Sequence, residues 1–306
     1  MPSLLPMAAI RTERLRKFYG KARGIVDVDL EVQVGEVFGF LGPNGAGKTT
    51  TIRTLLDLIR PSSGKATVLG LDSVEDSMEI RRRVGYLPDE LPLWDWMTPR
   101  QVLEHLGRLR GGVEGGYRDG LIERFEVEAD RKISDLSTGN KQKVGLVQAF
   151  MHKPELLILD EPTSGLDPLM QQVTYEVIDE AQRDGRTVFL SSHVLPEVER
   201  IAQRVGIIRK GRLIEVASVE SLKERALRLV EIRFGYPVPT TERLEEIDGV
   251  TEANLHGDAA TLKVEGSMDP LVKALAGYEV LVIRTHDTPL EEIFLQLYKD
   301  GDDDES

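Results

Sequence analysis

Among its 306 residues the chain has no cysteine. That excludes disulfides and thiolate metal centres, and it fits a reducing compartment. Nor does it contain an apolar run near the ~18 residues that a membrane-spanning helix needs. Residues Met1 to Ala9 lack a basic stretch ahead of a long apolar one, so they do not read as a secretory signal. Positive charge is scarce too: 39 Lys and Arg stand against 52 Asp and Glu, a net charge of −13. A nucleic-acid surface calls for a basic patch, so this balance argues against one. The imbalance is local, because residues 229–306 hold 18 acidic residues against 6 basic ones. Residues 300–306 form an acidic run that reads as a solvated tail.

What is present suits a soluble globular protein, with 41% hydrophobic and 30% charged residues. The length accommodates two domains. The most specific segment is Gly42-Pro43-Asn44-Gly45-Ala46-Gly47-Lys48-Thr49-Thr50. It fits G-x-x-x-x-G-K-[ST], the phosphate-binding P-loop. An apolar strand-like run, Val37 to Leu41, precedes it, and a helical pattern, Thr51 to Leu58, follows. Glycines let the backbone approach phosphate closely. Successive N–H groups at a helix start form an anion nest. Lys48 can reach the β- and γ-phosphates of ATP, and Thr49 can offer its hydroxyl to Mg²⁺.

Residues 7–218 alternate strand and helix patterns, which predicts an α/β core with a mainly parallel sheet, in a domain over residues 7–225. Ile25 to Val34 and Val37 to Leu41 read as strands of an antiparallel edge. Residues 98–150 read as a helical subdomain, with Gly111-Gly112 and Gly115-Gly116 as a loop within it. From residue 226 the rhythm becomes βαββαβ, a ferredoxin-like α+β pattern, over residues 226–299. A last helix is signalled by Thr288-Pro289-Leu290-Glu291, with a cap, Pro at the first position and Glu at the third.

A second chemical segment is Leu156-Leu157-Ile158-Leu159-Asp160-Glu161, an apolar strand ending in two carboxylates. Beside a P-loop, such an Asp helps to hold Mg²⁺. The following Glu is placed to act as general base toward water.

Between these segments, Leu136-Ser137-Thr138-Gly139-Asn140 resembles the L-S-G-G-Q signature of ATP-binding cassette (ABC) ATPases. Further elements resemble that family in order. Tyr19 looks like the adenine-stacking aromatic. Val84 to Asp89 stands in the place of the Q-loop. Ser164-Gly165-Leu166-Asp167 looks like the D-loop, and Ser191-Ser192-His193 like the switch histidine. Together they cover residues 11–217. The resemblance implies a P-loop NTPase cassette that hydrolyses ATP with Mg²⁺, as a cytoplasmic subunit on the inner face of the membrane. It implies two copies pairing head-to-tail around two ATP molecules and driving a separate permease. Ser137, Thr138, Gly139, Asn140 and Asp167 would then meet the partner's nucleotide. Glu161, His193 and Lys48 would be catalytic, and Thr49, Asp89 and Asp160 would surround the metal.

Thr138 and Asn140 depart from the signature's Gly and Gln, and Asp89 stands where a Gln is usual. An ionised carboxylate only accepts hydrogen bonds, so Asp89 is expected to face Mg²⁺. The segment Glu90 to Met97, with Trp94 and Trp96, occupies the region that receives a permease helix in transporters. Trp94 or Trp96 is expected to be buried, with a helix-in-groove contact beside it. The region from residue 226 resembles the tail domain of daunorubicin-resistance-type exporter ATPases. Two other readings remain open from sequence: a soluble ABC ATPase working on the ribosome or nucleic acid, and a regulatory subunit that binds ATP without turning it over.

Overall fold

The computed structural model describes residues 8–225 and 228–287. The helix expected from Thr288 and the acidic tail lie outside these residues. The chain divides into two compact units, Met1–Val216 and Ala217–Ser306.

The first unit is organised by a six-stranded sheet. Its order is Arg212–Ser218, Arg204–Arg209, Val37–Leu41, Thr187–Ser192, Leu156–Asp160, Val84–Leu87. From Arg204–Arg209 to Val84–Leu87, each neighbouring pair is parallel. Every residue of Val37–Leu41, Thr187–Ser192 and Leu156–Asp160 is buried. Covered on both faces, such strands read as continuous apolar runs rather than alternating ones. That corrects one expectation: Val37–Leu41 is a central parallel strand, not part of an antiparallel edge. Phe38 stacks on Phe189 from the adjoining strand, with ring centroids 5.9 Å apart. Each such buried Phe contributes about 1.5–3 kcal/mol of apolar transfer.

The antiparallel layer exists, but from other segments. Its order is Ala22–Val28, Ala8–Tyr19, Ser63–Val68, Leu71–Asp72, and Glu31–Gln33 also pairs with Ala8–Tyr19. The strand-rich segment from Ile25 to Val34 thus supplies two strands of this layer.

Residues 98–150 contain the helices Pro99–Leu109, Gly115–Arg124 and Thr138–Phe150. Thr98 caps the first with a reciprocal box to Gln101, as Thr-Pro-x-Gln favours. Gly115 and Gly116 open the second helix instead of lying in a loop. At the end of the first helix, the Arg110 guanidinium donates to the carbonyls of Arg81, Arg82 and Val84 at 3.2–3.3 Å. This clamp anchors the start of the strand that leads to Asp89.

His152 sits just past Thr138–Phe150, mostly buried, with Nε2 3.3 Å from the Val84 carbonyl. Burial, helped by the nearby Arg110 charge, pushes its pKa from 6.5 down to about 4. The unfolded chain takes up a proton near 6.5 that the folded chain resists. This contribution is complete above pH 6.5 and is lost as pH falls from there towards 4. The expected loss is about 3 kcal/mol over that window. Urea unfolding at pH 7 and pH 4.5 should show a much shallower fall for His152→Gln than for the wild type. Parallel curves would contradict the assignment.

The second unit holds the four-stranded antiparallel sheet Val250–His256, Ala259–Val264, Arg228–Phe234, Val280–Asp287, in that spatial order. The helices Thr241–Glu245 and Asp269–Leu275 complete a βαββαβ sequence of elements. Its own core includes Ile232, Phe234, Leu262, Val264 and Leu271.

Candidate nucleotide-binding site

Register brings the site together. Leu41 pairs with Ser192, Ser191 with Asp160, and Leu87 with Leu159. The chain therefore leaves four neighbouring strands at one edge, carrying the P-loop, His193, Glu161 and Asp89. Ligands of open α/β sheets bind at this carboxyl edge.

The loop from Gly42 turns into the helix Lys48–Leu55 through Gly47, which has φ +113. A Cβ there would stand 2.9 Å from Ile25 Cγ2, so both the backbone angle and the space demand glycine. The helix start leaves its first amides without intrahelical partners, aimed at the cleft. A cleft of about 440 Å³ opens there. Pro43, Asn44, Gly45, Gly47, Lys48, Thr49 and Thr50 line it, with Tyr19, Asp89, Glu161 and His193. Gly42 and Ala46 do not line it; Ala46 is buried beneath the loop.

Tyr19 ends its strand and pairs with Ala22 across the two-residue turn Gly20-Lys21. Its ring stands half exposed at the cleft mouth, with Lys17 Nζ 5.3 Å from the centroid. A flat aromatic at a phosphate site offers a stacking surface for a base.

Lys48 is 6% exposed, and its Nζ donates to the Gly42 carbonyl at 2.6 Å. It also stands 3.1 Å from Glu161 Oε1, off the line of a hydrogen bond. On the other side, His193 Nδ1 lies 2.9 Å from Glu161 Oε2. Glu161 itself takes φ +51, a left-handed conformation that L side chains rarely adopt. Its amide is held by Ser191, through the carbonyl at 3.1 Å. Strain of this kind persists only where the surroundings over-determine it.

Asp160 is fully buried behind the cleft. The Ser191 hydroxyl donates to its Oδ1, while Oδ2 is buried without a hydrogen-bond partner. Burial raises its pKa above the ordinary carboxylate value, with the Ser191 and Thr49 hydroxyls pulling the other way and the Asp89 and Glu161 charges adding to the rise. An orphaned carboxylate oxygen close to Thr49 and Asp89 suits a hard divalent cation, which takes oxygen ligands. The donor set thus fits Mg²⁺.

Ser137, Thr138, Gly139, Asn140 and Asp167 do not line the cleft. Ser137 caps the helix Thr138–Phe150, accepting from the Asn140 amide at 3.2 Å. Asp167 likewise caps Pro168–Arg183, accepting from the Leu169 and Met170 amides at 3.0 Å. Ser137, Thr138 and Asp167 face solvent. Gly139 packs on the loop after Glu161: a Cβ there would stand 2.6 Å from the Gly165 carbonyl oxygen.

Sequence reasoning missed Arg23 and Gly24, which also line the cleft, as does Ser164 from the D-loop-like segment. Arg23 and Gly24 arrive through strand pairing, a signal absent from local pattern. It also missed Glu197, whose carboxylate joins Thr163 Oγ1 at 2.5 Å to Ser192 Oγ at 2.9 Å. The burial expected of Trp94 or Trp96 is not observed. Trp96 is 73% exposed, and Trp94, 37% exposed, rests edge-on against His105.

A P-loop at the carboxyl edge of a parallel sheet, a buried Asp and a Glu between Lys and His define an ATP-hydrolysing P-loop protein. The ABC transporter family model matches residues 25–164. The bacitracin transport ATP-binding protein BcrA of Bacillus licheniformis is 33% identical over 300 residues, covering 95% of this chain and 98% of that protein. The daunorubicin resistance ATP-binding protein DrrA3 of Streptomyces coeruleorubidus is 34% identical over 308 residues, covering 96% of each. A solved structure described as the ATP binding subunit of an ABC transporter superposes with a TM-score of 0.65 at 29% identity. It covers 70% of this chain and 92% of that one. The chain belongs to the ABC transporter ATP-binding proteins; it binds nucleotide and hydrolyses ATP.

Proposed function

We propose that this chain is the motor subunit of an exporter, pairing with a second copy around two ATP molecules and driving a separate transmembrane permease. The observation that carries the pairing is the position of the signature. Ser137 and Gly139 lie outside the cleft of their own chain, on a helix start that suits an anion. A γ-phosphate in the partner's cleft would supply that anion and join the two copies. Export of a drug, lipid or other small molecule is supported by the relatives, one a bacitracin transport protein and one a daunorubicin resistance protein. The site would then work at the cytoplasmic face of the membrane, docked to the permease. Among the described residues no helix is long and apolar enough to cross it.

In this reading Glu161 takes a proton from the attacking water as its oxygen bonds the γ-phosphorus. The bond from that phosphorus to the bridging oxygen breaks, and ADP leaves. His193 holds Glu161 and the γ-phosphate in line, and Lys48 exchanges its loop carbonyl and Glu161 for phosphate oxygens. Thr49, Asp160 and Asp89 would hold Mg²⁺, which offsets the charge of the phosphates. Tyr19 stacks on adenine.

Turnover per chain should rise with protein concentration, because only the pair completes a site. ATPase rates measured across a wide dilution series test this. A specific activity that stays constant down to concentrations where sizing shows only monomer would overturn the paired mechanism.

A further inference from the structure

Gln142 has no part in the cleft, yet it reaches the residue at the centre of the chemistry. It lies on the helix Thr138–Phe150, five residues beyond the Ser137 cap, and is 7% exposed. Its side-chain amide donates to the Glu161 carbonyl at 3.0 Å and to the Pro162 carbonyl at 3.1 Å. Both donors of the NH₂ group are thus spent on the backbone that carries the general base. That backbone is the strained one, with Glu161 at φ +51. The same helix presses Gly139 onto the Gly165 carbonyl, a few residues further along the same loop.

We propose that Gln142 is a positioning residue that couples the two ATP sites of the pair. The inference rests on the head-to-tail reading given above. A helix is stiff along its axis, and Gln142 lies only about 7 Å along it from the cap. When the partner's γ-phosphate settles on Ser137 and draws the helix start toward it, Gln142 carries the displacement to the Glu161 carbonyl. The side chain of Glu161 follows its own backbone into line with water. Each nucleotide would thereby set the general base of the opposite site. A sub-ångström shift suffices, since a misplacement of about 1 Å can cost about 10²-fold in rate.

Two variants keep the volume and change only the donors. Gln142→Met removes both hydrogen bonds; Gln142→Glu offers an ionised carboxylate, which cannot donate, to two carbonyl oxygens. For Gln142→Met, kcat should fall about 10- to 100-fold with ATP affinity, measured by equilibrium binding, within about twofold. Combined with Ser137→Ala, the losses should be less than multiplicative, because both substitutions cut the same connection. Gln142→Glu should regain kcat relative to wild type as pH falls and its carboxyl becomes a donor. A kcat for Gln142→Met within twofold of wild type would overturn the proposal. So would losses that multiply in the double variant, or a Gln142→Glu profile parallel to wild type. If Gln142→Met melts early, the pH profile of Gln142→Glu still decides. Failure here leaves the motor reading intact so long as Glu161→Gln is inactive; an active Glu161→Gln removes the motor reading itself.

Discussion

Replacing Glu161 with Gln is expected to lower ATP turnover by about 10²- to 10⁴-fold while leaving ATP bound. The amide has the shape of the carboxylate and still meets His193 Nδ1, now 2.9 Å from Oε2. What it loses is the ability to take a proton from water. Lys48 loses its counter-ion 3.1 Å away, but phosphate oxygens replace that charge when ATP binds. Without hydrolysis the γ-phosphate stays between the two copies, and the closed pair keeps its stabilisation. Size exclusion should therefore show a nucleotide-dependent doubling of mass in the variant and little of it in the wild type during turnover. Unchanged turnover would remove Glu161 from the chemistry.

The second large effect concerns complementation between two damaged chains. Lys48→Ala removes the ammonium that is 6% exposed in the cleft. Ser137→Asp retains a good helix cap but sets a negative charge where the partner's γ-phosphate would sit. Each variant alone should be nearly inactive. In a head-to-tail pair, however, one chain's P-loop works with the other's signature. A mixed pair then has one site carrying both lesions and one carrying neither. Random pairing of equal amounts makes about half the pairs mixed, so about a quarter of wild-type turnover should return, provided the sites act independently. Recovery above either variant alone would establish that the site is shared. No recovery in pairs shown to be mixed would place the signature's role within its own chain, or require both sites intact for any turnover.

Much of the site was legible in short stretches, for a physical reason. A phosphate nest is built from consecutive amides, so Gly42 to Thr50 announce it without help from distant residues. The same holds for a strand that ends in Asp160 and Glu161. Cap chemistry is equally local: Thr98 opens its helix through contacts with Gln101, three residues on. Other readings failed where the answer depended on partners. Val37–Leu41 was read as an edge because its neighbours in sequence are strands. Its neighbours in space are Arg204–Arg209 and Thr187–Ser192, which pair with it in parallel on both edges. Gly115 and Gly116 looked like a loop by composition, yet they open a helix whose buried residues include Leu121 and Ile122. The exposed Trp96 was invisible for the same reason: burial belongs to what surrounds a side chain.

By itself the sequence determined the chemistry available to this protein: a phosphate-binding loop, two adjacent acids at a strand end, a histidine at another strand end, and a signature segment. Each is a property of a few adjacent residues. Only the tertiary structure decided which of these groups meet. Strand order inserts Thr187–Ser192 between the P-loop strand and the acid strand, so that His193 stands beside Glu161 and Ser191 holds Asp160. Packing of one helix against the following loop sets Gln142 on the backbone of Glu161. These contacts join residues 19 to 32 positions apart, and the P-loop strand pairs with one about 150 positions away; they arise from which apolar strands are buried together, which no local pattern specifies.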